Sequence, residues 1–183
     1  MATPWPWEAP STYLFLFRLR VTVAKRKPRY TPLTPAPVTP SPDLVEQYIS
    51  DIRKKLRASA SEKQISQWKR LFGDSIPCHG VDPIRTHHIG LEMVRRTRSG
   101  GIELAFALGE SLWNSSKLEE RSIAAQLVGA MGRHISGSDF DRFAVWASSL
   151  TNHANADSLA MNLISRSLGN KPSLVNKLKQ WAE

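Results

Sequence analysis

Beyond residue 42 the apolar residues recur at intervals of three and four, the spacing that puts side chains on one face of a helix. Leu44, Tyr48, Ile52 and Leu56 step every four residues and predict a first helix. A second runs from about Glu62 through Ile65, Trp68 and Phe72, with Gly73 as its stop. After a loop over 74–83, a third spans 84–96 with Ile84, His88, Leu91 and Val94 turned inward, and Ser99, Gly100 and Gly101 end it. A fourth covers 102–113, and a fifth covers 117–131 with Ile123, Ala124, Leu127, Val128 and Met131 at helical spacing. Ser138 and Asp141 form a capping-box-like start to a sixth, which buries Phe140, Phe143, Val145 or Trp146, and Leu150. A seventh begins near His153, and an eighth opens after Pro172 and reaches Trp181. No segment alternates apolar and polar residues between turn dipeptides as a strand would. The fold class is all-α, with short helices in apparent pairs, although no clean repeat period is visible.

The first 42 residues differ in kind. They hold nine of the 12 prolines, which remove backbone donors and favour polyproline II, so 1–42 reads as a disordered tail and 43–183 as the folded domain. Net charge is +9, but the tail carries six basic residues against one acid, so the folded part is only mildly basic. A polyanionic partner such as nucleic acid is favoured, less strongly than the total suggests. Cys78 is the one cysteine, which excludes an internal disulfide framework and favours an intracellular setting. The longest greasy stretch, 13–17, is far short of the ~20 residues of a membrane span. Arg18, Arg20, Lys25, Arg26, Lys27 and Arg29 form a basic stretch without acids that an organelle-targeting leader could use, although a disordered or adventitious extension is the favoured reading.

Asp157 is the residue that most needs a reason. At about 100° per residue it shares a side with His153, Ala160, Met161, Ile164 and Leu168, while Asn155, Ser158, Asn162 and Arg166 share the other. An acid on the apolar side is explained either by the positive end of the helix dipole or by a site. Elsewhere the chemistry is thin. Cys78 and His79 lack further ligands at metal spacing, and His87 and His88 point about 100° apart, so no metal or other cofactor is expected. Glu119 and Glu120, with Lys117 and Arg121, read as a helix cap and a solvated face rather than a general acid. Trp113 and Trp146 read as core.

Three passages, in order, resemble one family. The first is Gln67-Trp68-Lys69-Arg70-Leu71-Phe72 followed by Ser75-Ile76-Pro77-Cys78-His79-Gly80-Val81 and Arg85. The second is the run 112–124, with Leu112-Trp113, Ser116, Glu119-Glu120-Arg121 and Ala124. The third is the run 150–160 around Asp157. Together they resemble the AlkD-like DNA alkylation repair proteins over roughly 44–183. That resemblance implies a HEAT-like helical solenoid and a DNA glycosylase acting on double-stranded DNA that contains alkylated purines such as N3-methyladenine and N7-methylguanine. It implies Asp157 as the catalytic carboxylate and gives His153 the place of the family's Trp. The cations expected to grip DNA are Arg85, Arg95, Arg96, Lys117 and Arg121, and a monomer associated with the nucleoid is expected.

Two departures temper this. Imidazole is a smaller face than indole, and a protonated His153 four residues from Asp157 would compete for its carboxylate, so weakened or absent activity is one expectation. The family pattern also continues beyond the position of Trp181, which implies a solenoid truncated at its C-terminal end. The alternative is a non-catalytic helical module that binds DNA of unusual shape or a protein. An exposed, solvated Asp157 favours the module, whereas an Asp157 lining a basic groove favours the enzyme.

Overall fold

A computed structural model describes residues 39–169 and 171–181. Residues 1–38 of the proline-rich tail, with the basic stretch at 18–29, lie outside them. Helix α1 (Pro42–Ala58) starts one residue before the expected boundary, with the Ser41 hydroxyl accepting from Leu44 N–H and proline in the first turn. Then come α2 (Glu62–Phe72), α3 (Pro83–Thr97), a 3₁₀ turn over Arg98–Gly100, α4 (Gly101–Asn114), α5 (Leu118–Gly129) and α6 (Gly137–Ser148). Helix α7 (His153–Ser158) runs on through a π-helical turn, Leu159–Ile164, into α8 (Ser165–Leu168), and α9 (Pro172–Gln180) follows. Every regular element among the described residues is helical.

The helices form two layers. Leu108, Leu112 and Trp113 of α4 pack on Ile123, Leu127 and Val128 of α5 in one core with Ile49, Ile52 and Leu56 of α1 and Ile89 and Met93 of α3. Gly109 meets Val128, and the Arg121 guanidinium reaches the Trp113 carbonyl, so α4 and α5 are antiparallel. Asp51 pairs with Arg96 and Lys55 with Glu92, which makes α1 and α3 antiparallel too. Within a layer the sense is parallel: Phe106 stacks on Phe143 and Trp113 on Trp146 between α4 and α6. On the other side Gly90 of α3 lies against Gln126 of α5, while Ser122 meets Ser158 and Gly129 meets Asn162 further along. Antiparallel pairs stacked in parallel layers make an all-α helical repeat.

Helix α5 is the centre, with eleven of its twelve residues buried and packed by α3, α4, α7 and the π turn. Its polar residues are therefore held internally, which corrects the solvated-face reading of Glu119 and Glu120: each is 1% exposed. Glu119 accepts from the backbone N–H groups of His79, Gly80 and Val81 at 2.8–3.0 Å, fixing the 79–81 loop. Glu120 receives His79 Nε2 at 2.7 Å and Arg53 at 3.1 Å. Burial works to raise the Glu120 carboxyl, but the His79 and Arg53 hydrogen bonds and the Arg53 charge outweigh it and hold it at about 2. Gly80 closes this loop at φ 79°, where a Cβ would lie 2.3 Å from Ile65.

Two inward faces and one cap differ from the pattern-based expectation. Helix α3 buries Thr86, Ile89, Gly90, Met93 and Thr97, leaving Ile84 68% exposed and His88 exposed. The capping box of α6 is Ser136 with Asp139, two residues earlier than expected, while Phe140, Phe143 and Trp146 are buried as the pattern has it. The third is α7, where the site lies.

Candidate functional site

Helix α7 is capped by Asn152, whose side-chain oxygen accepts from Asn155 N–H at 2.9 Å. Its buried face is polar. Asn155 is 1% exposed, and Ser158 is buried with its hydroxyl 3.2 Å from Ser122 and 3.1 Å from Asn162. Leu159, Leu163 and Ser167 continue that face. The first part of the arc that the sequence pattern assigns to the core faces outward, with His153, Asp157 and Ala160 exposed and Met161 70% exposed, whereas Ile164 and Leu168 are half-buried against the core. Polar groups inside and Met161 outside reverse the usual preference, which costs free energy wherever buried groups stay unpaired.

The close fit of the buried face depends on glycine. A Cβ on Gly129 of α5 would stand 1.7 Å from the Asn162 carbonyl oxygen, and one on Gly132 would stand 2.5 Å from that of Arg166. The π turn thus lies backbone to backbone on α5, and π segments of this kind mark sites where a helix is re-aimed.

His153 opens α7, and its ring packs on Phe72 of α2 with centroids 4.9 Å apart; Phe72 in turn packs on Trp68 at 5.7 Å. No ion pair joins His153 to Asp157 among the described residues, and Asp157 has no cationic partner there.

The expected DNA-gripping cations separate into groups. Arg85 is exposed in the first turn of α3, 3.2 Å from the Ser59 hydroxyl, and half-buried Lys117 stands at the N-cap of α5. The first turns of α3, α5 and α7 line one cavity through Pro83 and Thr86, Leu118, Glu119 and Ser122, and Ala154 and Asn155. Arg85, Lys117 and His153 thus belong to helix ends that meet on one edge. Arg95 and Arg96 occupy the last turn of α3, about 15 Å along the axis. Arg95 is exposed, whereas Arg96 pairs with Asp51 and lies over the Tyr48 ring. Arg121 is 5% exposed. It donates to the Trp113 and Ser149 carbonyls and the Ser116 hydroxyl and stacks over Trp113, so its donors serve the α4–α5–α6 junction rather than an outside surface.

The Glu119 clamp, the Phe72 support of His153 and the inverted face of α7 are not visible in periodicity alone. The available signals were Gly129 and Gly132, three apart beside α7, and the polar spacing Asn155, Ser158, Asn162. Among the described residues no three His, Cys, Asp or Glu side chains are placed to hold a metal ion, and no helix is long and apolar enough to cross a membrane.

A family model for DNA alkylation repair enzymes matches residues 52–183, covering α2 to α9 and the last two turns of α1. No curated protein and no solved structure matches the chain. The match spans well over half of the sequence and includes all three passages quoted above; the chain belongs to the DNA alkylation repair enzyme family, and its role is in DNA repair.

Proposed function

We propose that this protein is a monomeric DNA glycosylase with a HEAT-like architecture that hydrolyses the N-glycosidic bond of alkylated purines, N3-methyladenine and N7-methylguanine, in duplex DNA. What supports this reading is the family match over residues 52–183, together with the resemblance that gives Asp157, accessible on α7, the place of the catalytic carboxylate. An alkylated purine already carries positive charge, so it leaves with the bonding electron pair and needs no proton. Positive charge then gathers on the deoxyribose in an oxocarbenium-like transition state. A carboxylate beside C1′ stabilises that charge and orients the water that adds there, the water's proton passing to the carboxylate and then to solvent.

In the free protein Asp157 is exposed and without a cationic partner among the described residues, the state that favours the module, so on the enzyme reading its carboxylate is enclosed by DNA itself. DNA laid over α7 would exclude water from the carboxylate, and in the drier interface its interaction with the sugar cation strengthens. Arg85 and Lys117 would take phosphates on the edge where three helix N-termini meet, and those termini favour anions as well. His153, held by Phe72 and unpaired with Asp157, would offer its ring edge to the sugar and leave the carboxylate free.

A second reading has its own support. The Asp157 carboxylate is exposed and lacks a neighbouring cation among the described residues, as expected of a helix-start acid in a non-catalytic module. Release of free methylated purine from methylated duplex DNA, followed by chromatography, separates the two. The glycosylase reading requires release that Asp157→Asn loses while still binding DNA; binding without release by the folded wild-type protein supports the module.

A further inference from the structure

Met161 is the most exposed large apolar side chain among the described residues, at 70%. A single apolar residue on a surface is ordinary, but this one is out of place on its own helix. The run from α7 to α8 buries Asn155, Ser158 and Ser167 while Met161 stands in solvent. The rotation is fixed where the π turn meets Gly129 backbone to backbone, so Met161 cannot roll inward without opening that contact.

Its place on the helix is specific. Met161 follows Asp157 by four residues, one turn along the same outward side, and Ser158 and Leu159 between them are buried. Ala160 beside it is exposed and offers only a methyl group. Arg166, five residues further, is exposed and has no ion-pair partner among the described residues. An apolar step thus lies between a carboxylate and an available cation, on the face over which the proposed DNA runs.

We propose that Met161 is a substrate-contact residue of the Asp157 site: its thioether packs on the apolar C–H face of a deoxyribose in bound DNA and shuts water away from the Asp157 carboxylate. This rests on the reading that DNA lies over α7. One helical turn advances about 5.4 Å and a DNA strand about 3.4 Å per nucleotide, so with Asp157 at one sugar Met161 meets that sugar or the next. The thioether is uncharged, polarizable and carried on three rotatable bonds, which lets it follow the sugar surface. Arg166 takes a phosphate beyond it. Excluding water strengthens the attraction between the carboxylate and the sugar cation, so the contact raises both affinity and release rate.

Methionine methyl resonances report the contact directly. The full chain holds four methionines, and the Met161 signal in ¹³C-methyl-labelled protein is assigned by its loss in Met161→Leu. A saturating unmodified duplex, its binding verified by fluorescence anisotropy, should shift the Met161 methyl and give nuclear Overhauser contacts to deoxyribose protons. The buried Met93 and Met131 should stay in place. Met161→Gln keeps the side-chain length but not its apolar character. It should lower the ratio of N7-methylguanine release rate to dissociation constant roughly tenfold, with Met161→Leu close to wild type. Val145→Gln, at a position 68% exposed on α6, should change neither quantity. A Met161 methyl unmoved by bound duplex, or Met161→Gln equal to wild type in both quantities, overturns the proposal. Sugar contacts in a protein that releases no purine keep the contact and sink the glycosylase reading alone, whereas release with the methyl unmoved does the reverse. Folded protein that binds no duplex overturns both.

Discussion

Glu120 shows how much a single side chain carries in this structure. Its carboxyl is held at about 2 against an ordinary 4.5, with burial opposing and the hydrogen bonds from His79 and Arg53 winning. A depressed carboxylate contributes stability that is complete above the ordinary value and is lost as pH falls toward the folded one. The window is therefore about pH 4.5 down to 2, and the contribution is on the order of 3 kcal/mol. Urea midpoints should fall as pH drops through that window, and Glu120→Gln should start lower and fall less; an unchanged slope in the variant would remove Glu120 from this role. His153 is the other telling residue. Replacing it with Trp enlarges the ring on Phe72 and the face offered to the sugar. On the glycosylase reading, single-turnover release by His153→Trp should rise several-fold, as expected of ~1 kcal/mol from a better aromatic contact. A rate unchanged or lowered with the fold intact would place this ring outside the reaction.

Among the helices, α7 and its π turn show where sequence reasoning holds and where it fails. The boundaries of α2 and the starts of α7 and α9 follow from periodicity, serine and asparagine caps, Gly73 and Pro172, because each of those signals is local. The inward face of α7 does not. A helical wheel assumes that apolar residues turn inward, whereas here Asn155, Ser158 and Leu159 pack on α5 and leave Met161 and Asp157 outside. What decides the rotation is the approach of the π turn to Gly129, a tertiary contact that no local pattern encodes. The same is true of α3, where Gly90 against Gln126 sets the face and turns Ile84 outward. The apolar-face argument for Asp157 is therefore reversed, and what remains is a carboxylate beside the outward-facing Ala160 and Met161. Gly129→Ala tests the contact. Its Cβ would meet backbone rather than a side-chain tip, so a loss of at least ~1–3 kcal/mol is expected in thermal or urea unfolding. A neutral substitution would mean that α5 and the π turn are not so tightly apposed.

Across the whole molecule, the antiparallel pairs and parallel layers bring α3, α5 and α7 to one edge with their N-termini together. That collects Arg85, Lys117 and His153 from positions spread over nearly seventy residues of sequence, and it leaves Arg95 and Arg96 at the far end of α3. A charge count cannot make this division, nor can it reveal that Arg121 is enclosed by Trp113, Ser116 and Ser149. On the proposed docking, Arg85→Ala should weaken duplex binding for all sequences and reduce the salt dependence of log K by roughly 0.9, one phosphate contact. Fluorescence anisotropy across a salt series measures this; an unchanged slope would move the DNA off that edge.

The central claim is that Asp157 acts on the reacting sugar rather than in holding DNA. Single-turnover release of N7-methylguanine from a defined duplex, measured with saturating protein beside the dissociation constant for the same duplex, tests it most directly. The account predicts that Asp157→Asn lowers the release rate by at least about 100-fold, the scale of removing one stabilising group from a charged transition state, while the dissociation constant stays within a few-fold of wild type. Equal release by the variant, or no release by folded wild-type protein that binds the duplex, would contradict it and leave Asp157 as the acid of a helix start in a non-catalytic DNA repair module.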